Sequence, residues 1–121
     1  MNAYRPIKDI DRKYWPSFLI NVFKYIETNH TKKLYLDEIA KRANLSKYHF
    51  CKIFKILTDQ TVIEYVNTVR IEKAKKLLKK SLFNITEICY KVGFCDISNF
   101  NRIFKKVVGI SPSEYRENQT R

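Results

Sequence analysis

Two stretches decide the fold: Leu36–Lys55, LDEIAKRANLSKYHFCKIFK, and Ile85–Lys105, ITEICYKVGFCDISNFNRIFK. They are copies of one pattern. Glu38 and Ile39 match Glu87 and Ile88 at an offset of 49 residues. Phe50, Ile53, Phe54 and Lys55 match Phe100, Ile103, Phe104 and Lys105 at an offset of 50, the extra residue falling in the turn near Cys95. The match continues through Thr61, Glu64 and Tyr65, which align with Ser111, Glu114 and Tyr115. Two copies are too few for a solenoid and predict two similar helical modules in series.

Each copy reads as helix, tight turn, helix. The first helices cover about 36–43 and 85–92, with Asn44 and Gly93 at the turns. Asn and Gly are the residues that tolerate the left-handed backbone such a turn needs. Ser46 and Asp96 then stand as N-caps of the second helices. Capping boxes are legible in Thr61…Glu64, Asn84…Glu87 and Ser111…Glu114, the last with Pro112 at the first helical position. Between the modules runs one longer helix, Val62–Lys80, roughly 28 Å at the α-helical rise. Its apolar side is read as Ile63, Val66, Val69, Ala74, Leu77 and Leu78.

Upstream, Trp15, Phe18, Leu19, Val22, Phe23 and Ile26 form one apolar helical stripe that ends near Asn29 and His30. Residues 1–13 read as a flexible lead-in, and 14–121 as one domain. That domain contains a first helix-turn-helix over about 36–58 and a second over about 85–108. A C-terminal helix follows over about 112–118. The fold class is all-α. With 2 Gly and 3 Pro in 121 residues, a turn-rich β sandwich or barrel is disfavoured.

Both second helices have a face to bury and a face to use. Phe50, Ile53, Phe54 and Leu57 form an i, i+3, i+4, i+7 stripe, repeated by Phe100, Ile103, Phe104 and Val107. This spacing assigns the aromatics to the core rather than to base stacking. The opposite faces carry Lys47, Tyr48, Cys51, Lys52 and Lys55 in the first copy, and Ile97, Ser98, Asn101, Arg102 and Lys105 in the second. A row of Lys and polar residues is usually a solvated face. Here the rows recur at matching positions, on the helix that a helix-turn-helix presents to the DNA major groove. Arg or Lys can donate to guanine O6 and N7, Asn can pair with adenine, and Ile can meet a thymine methyl.

Charge points the same way. Lys and Arg number 24 against 12 Asp and Glu, a net +12 that predicts a polyanionic partner and salt-dependent binding. Arg70, Lys73, Lys75, Lys76, Lys79 and Lys80 concentrate this charge on the long helix against Glu72. Cys51, Cys89 and Cys95 lack CxxC spacing, and with only His30 and His49 beside them no metal site is expected. Unpaired cysteines fit a reducing compartment. No signal peptide opens the chain, and no stretch approaches the ~20 apolar residues of a membrane span. A cytoplasmic protein without cofactor is expected. No glycine-rich phosphate loop, catalytic triad or carboxylate pair stands out, so an enzyme is disfavoured. A general basic RNA-binding protein fits the charge but not the duplicated helix-turn-helix.

The second copy, extended through Gly109-Ile-Ser-Pro-Ser-Glu-Tyr-Arg116, resembles the signature of the AraC/XylS family of bacterial transcription regulators. The segment Arg70–Leu78 resembles that family's linker helix, and the likeness covers about 18–116. The resemblance implies a DNA-binding domain of about seven helices, in which two homeodomain-like helix-turn-helix units are joined by the linker helix. It implies sequence-specific binding of double-stranded promoter DNA, with the reader helices in adjacent major-groove segments. By position, Lys47, Tyr48, Cys51 and Lys52 fall where relatives commonly contact DNA in the first unit, and Ile97, Ser98, Asn101 and Arg102 in the second. RNA polymerase is an implied partner, as is an N-terminal effector or receiver domain outside this chain.

Three positions depart from the family pattern. Tyr35 stands where Ser or Thr is frequent, which predicts a poorly capped helix. Asp59 stands where the second copy has Gly109, which predicts a less regular helix end. Asn99 replaces a frequent aromatic.

Overall fold

The computed structural model describes residues 16–119. The lead-in read over 1–13, together with Tyr14 and Trp15 of the first stripe, lies outside the described residues. Within them are seven helices and no strand: α1 (Ser17–Asn29), α2 (Leu36–Arg42), α3 (Lys47–Thr58), α4 (Val62–Lys80), α5 (Ile85–Lys91), α6 (Ile97–Val108) and α7 (Pro112–Gln119). The chain divides into two units, with the division after Val66, inside α4.

Unit one buries Leu19, Val22, Phe23 and Ile26 of α1 with Ile39 and Ala40 of α2 and Phe50 and Phe54 of α3. The aromatic rings meet edge-on, or tilted in the case of Phe23 and Tyr65. Phe23 meets Phe54 at 5.7 Å and Tyr65 at 4.7 Å, and Phe54 meets Tyr65 at 6.0 Å between centroids. Such geometry adds about 0.5–1.5 kcal/mol per pair to the burial itself. The Tyr65 hydroxyl donates to Glu27 at 3.2 Å, so the one polar atom of that ring is satisfied.

Unit two repeats the arrangement. Its core joins Ile71, Ala74 and Leu78 to Ile88, Cys89, Val92, Phe94, Phe100, Ile103, Phe104 and Tyr115. Phe100 meets Phe104 at 5.8 Å and Phe104 meets Tyr115 at 5.7 Å. The equivalents in unit one, Phe50–Phe54 and Phe54–Tyr65, lie at 5.8 and 6.0 Å. The internal repeat is therefore a repeat of ring packing.

The turns are built alike. Asn44 and Gly93 take positive φ of 60° and 107°. The following N–H reaches back to the preceding helix, Leu45 to Ala40 O and Phe94 to Cys89 O, both at 3.1 Å. Ser46 accepts from the His49 N–H, and Asp96 accepts from the Ser98 and Asn99 N–H groups. All three capping boxes form with both reciprocal bonds. Tyr35 offers α2 no side-chain cap, as its residue type predicts.

Two expectations fail. Asp59 ends α3 as regularly as Gly109 ends α6: its φ is 61°, and its N–H bonds Lys55 O at 2.9 Å, against 2.8 Å for Gly109 to Lys105. Asp is among the few non-glycine residues that reach this region readily. Ile63, placed on the apolar side of α4, is 67 % exposed, while Tyr65 and Ile71 are buried. The buried positions of α4 do not form one stripe along its length. Val62, Tyr65, Val66 and Val69 mark one register and Ile71, Ala74 and Leu78 another; Ile63 lies in line with the second, at a level of the helix where that face is exposed.

Candidate nucleic-acid interface

In unit one, Tyr48, Cys51, Lys52 and Lys55 occupy i, i+3, i+4 and i+7 of α3, one continuous face. Tyr48, Lys52 and Lys55 are exposed and Cys51 is half-buried. Tyr48 is the most open large hydrophobic side chain among the described residues of unit one at 73 %, with its ring against His49. Lys47, on the first turn, pairs with Asp37 of α2 at 3.6 Å. Both groups are solvated, so the pair is weak and Lys47 can exchange it for a phosphate. Lys55 donates to the Asp59 carbonyl at 3.3 Å, at the C-terminal end of its own helix.

Unit two presents the same register fifty residues later: Ser98, Asn101, Arg102 and Lys105, all exposed. Ile97 differs from expectation. It is half-buried and packs against the unit-two core, so packing accounts for its apolar character. Arg102 donates from Nη2 to Asn99 Oδ1 at 2.6 Å. Asn99 itself is half-buried at the start of α6.

The basic residues of α4 differ in their surroundings. Lys75 pairs with Glu72 at 3.2 Å. Arg70 is half-buried with its guanidinium over the Phe94 ring at 5.8 Å, and desolvation pulls its pKa below the usual arginine value. Lys76, Lys79 and Lys80 remain exposed.

Three roles were not read from the sequence. One is the Asn99 acceptor. Another is Asp37 as the partner of Lys47. The third is Arg116, whose guanidinium donates to the carbonyls of Leu78 at 3.1 Å, Phe83 at 2.7 Å, Ser81 at 3.2 Å and Leu77 at 3.5 Å. Its place at the end of the quoted signature was the available signal, since a cation is favoured where a helix leaves carbonyls unpaired. Among the described residues no group of three His, Cys, Asp or Glu is placed to hold a metal, and no helix is long and apolar enough to cross a membrane.

Residues 39–118 match the model of a helix-turn-helix domain family. The chain is 33 % identical over 109 residues to the Transposon Tn10 TetD protein of Escherichia coli, covering 90 % of this chain and 79 % of that protein. It is 32 % identical over 108 residues to the HTH-type transcriptional activator AarP of Providencia stuartii, covering 89 % and 80 %. Other curated relatives are longer: the chain spans 36 % and 30 % of two operon regulatory proteins. Among solved structures, the DNA-binding domain of AdpA, a global transcriptional factor crystallised with a target DNA, superposes with a TM-score of 0.77 at 25 % identity, covering 83 % of this chain and 90 % of that one.

Proposed function

The chain belongs to the AraC-type helix-turn-helix family of transcription regulators, and from that premise we propose that α3 and α6 are the helices that read promoter DNA. The observation that carries this reading is the matched register, Tyr48, Cys51, Lys52, Lys55 and Ser98, Asn101, Arg102, Lys105, exposed but for the half-buried Cys51, each row following a left-handed turn. Lys47 joins the first row. Ile97 offers only the part of its side chain left outside the core, suited to a thymine methyl. The proposed DNA-binding domain takes in residues 14–121.

The partner is double-stranded DNA, entered through adjacent major-groove segments. In this reading RNA polymerase is the machinery the bound regulator acts on, in the cytoplasm. The greater length of the operon regulators supports a further effector or receiver domain in the full protein. No catalytic step is assigned.

Substitution within α6 tests the reading. Arg102 carries a planar fork suited to one base edge, and losing such a contact costs about 1–3 kcal/mol of discrimination. Lys105, nearer the helix end, suits a phosphate and contributes alike to all sequences. Binding by Arg102→Ala and Lys105→Ala is measured on a duplex recovered by selection and on a random duplex. Arg102→Ala is expected to lose preference, and Lys105→Ala to weaken both duplexes equally. Equal losses on both duplexes for Arg102→Ala remove it from the reader face.

A further inference from the structure

We propose that Asn99 is a positioning residue that holds the Arg102 fork in one orientation and makes unit two the stricter of the two readers. This rests on the assignment of α6 to the DNA major groove. Asn99 and Arg102 lie one helical turn apart, and Arg102 Nη2 donates to Asn99 Oδ1 at 2.6 Å. Asn99 is itself held: its N–H donates to the Asp96 cap at 3.1 Å, and its side chain is half-buried. Arg102 is exposed, and an arginine in that setting samples many rotamers unless something fixes its end.

The acceptor has two consequences. An amide is neutral, so it orients the guanidinium while leaving its full charge for DNA. The Lys47–Asp37 pair of unit one, by contrast, compensates the lysine charge. The contact also consumes one hydrogen on Nη2. Each hydrogen on that nitrogen belongs to one of the two paired edges of the fork, so a single paired edge remains for the O6 and N7 acceptors of one guanine. The ordering cost of the side chain is met before DNA arrives.

Unit one has no counterpart. The residues aligned with Asn99 and Arg102 are His49 and Lys52. The His49 ring lies 3.3 Å from the Ser46 hydroxyl, back toward the cap, and Lys52 is a point charge without a fork. The structure therefore assigns one-base stringency to unit two and tolerance to unit one.

The experiment measures Kd on a selected duplex, on variants of it changed at each base pair of both boxes, and on a random duplex. Asn99→Leu removes the acceptor at similar volume, and Asn99→Ala does so at smaller volume. Both residues favour helix at least as well as Asn, and circular dichroism checks that α6 persists. Each is expected to reduce preference at the base pair that Arg102→Ala affects, by about three- to tenfold, part of the loss from removing the fork itself. Random-duplex binding should be unchanged. Asn99→Asp keeps the oxygen and should retain the preference while weakening all duplexes. In an Arg102→Ala background, Asn99→Leu should have no further effect on preference. Full preference in Asn99→Leu, or a loss spread evenly over all positions, overturns the proposal while leaving α6 as a reader. Full preference in Arg102→Ala removes Arg102 from the reader face and overturns the proposal with it.

Discussion

Cys51, Cys89 and Cys95 sit in three different environments, which makes their thiols independent reporters of the fold. Cys95 is exposed, Cys51 half-buried on α3 and Cys89 fully buried in the unit-two core. Burial, with smaller contributions from Asp96 and Cys95, pushes the Cys89 thiol above its ordinary range. The thiolate is the reactive form, so access and ionisation act together. Timed alkylation with iodoacetamide under native conditions, read by mass spectrometry, should modify Cys95 first and Cys51 more slowly. Cys89 should react only at the rate at which unit two opens. Early modification of Cys89 would contradict its place in the core. The raised value also has a pH consequence. Its stabilisation is fully present below the unfolded thiol value of about 8.5 and is lost as pH rises through the folded value. Cys89→Ala should remove that alkaline slope from a urea-unfolding series.

Helix ends govern which elements form and where they stop. Gly109 closes α6 at a φ of 99°, and a Cβ added there would meet nothing within 4 Å. The cost of Gly109→Ala is therefore backbone strain alone, about 1 kcal/mol after the stiffer unfolded chain is counted. A substantially larger loss in chemical denaturation would reveal a steric contact that this geometry lacks. Arg116 acts at another C-terminal end, gathering carbonyls from the last turn of α4 and the segment before α5. Arg116→Ala should destabilise the chain by about 2–3 kcal/mol, because several charge-assisted bonds are lost together. Arg116→Lys should recover little, since an ammonium cannot span those carbonyls as a fork does. An unchanged urea midpoint for Arg116→Ala would show that water replaces the brace at no cost. These elements also mark the limits of sequence reading. Caps and left-handed turns depend on neighbours within five residues, so Ser46, Asp96, Asn84 and Gly93 were legible. Arg116 was not, because its acceptors lie 33 to 39 residues away. Ile63 departs from expectation for a related reason: α4 buries two registers, and no single apolar period describes it. The reader rows were legible as faces, but the Asn99 contact depends on a rotamer, which residue type does not specify.

At the scale of the whole molecule, the duplication determines what kind of DNA site the protein should prefer. One chain carries two helix-turn-helix units, joined through the continuous α4. A regulator that reads with one helix per subunit needs a second subunit and a palindrome. Here both proposed readers are on the same polypeptide, and they are unequal: Tyr48, Cys51, Lys52 and Lys55 offer different chemistry from Ser98, Asn101, Arg102 and Lys105. The preferred site should therefore be two unlike short boxes bound by a monomer, with no palindromic symmetry. Two major-groove entries on one face of straight DNA lie about 34 Å apart, one helical turn. If the protein spans less than this, the duplex must bend, at a cost of about 1–6 kcal/mol. Inserting five base pairs between the boxes of a selected site turns one of them to the opposite face. Footprinting and affinity measurement on that duplex should then match a control in which one box is scrambled, with protection surviving over a single box. Affinity unchanged by the insertion would mean that one unit alone reads DNA. The exposed row of the other would then be a solvated helix face, its resemblance to a reader a consequence of the duplicated core beneath it.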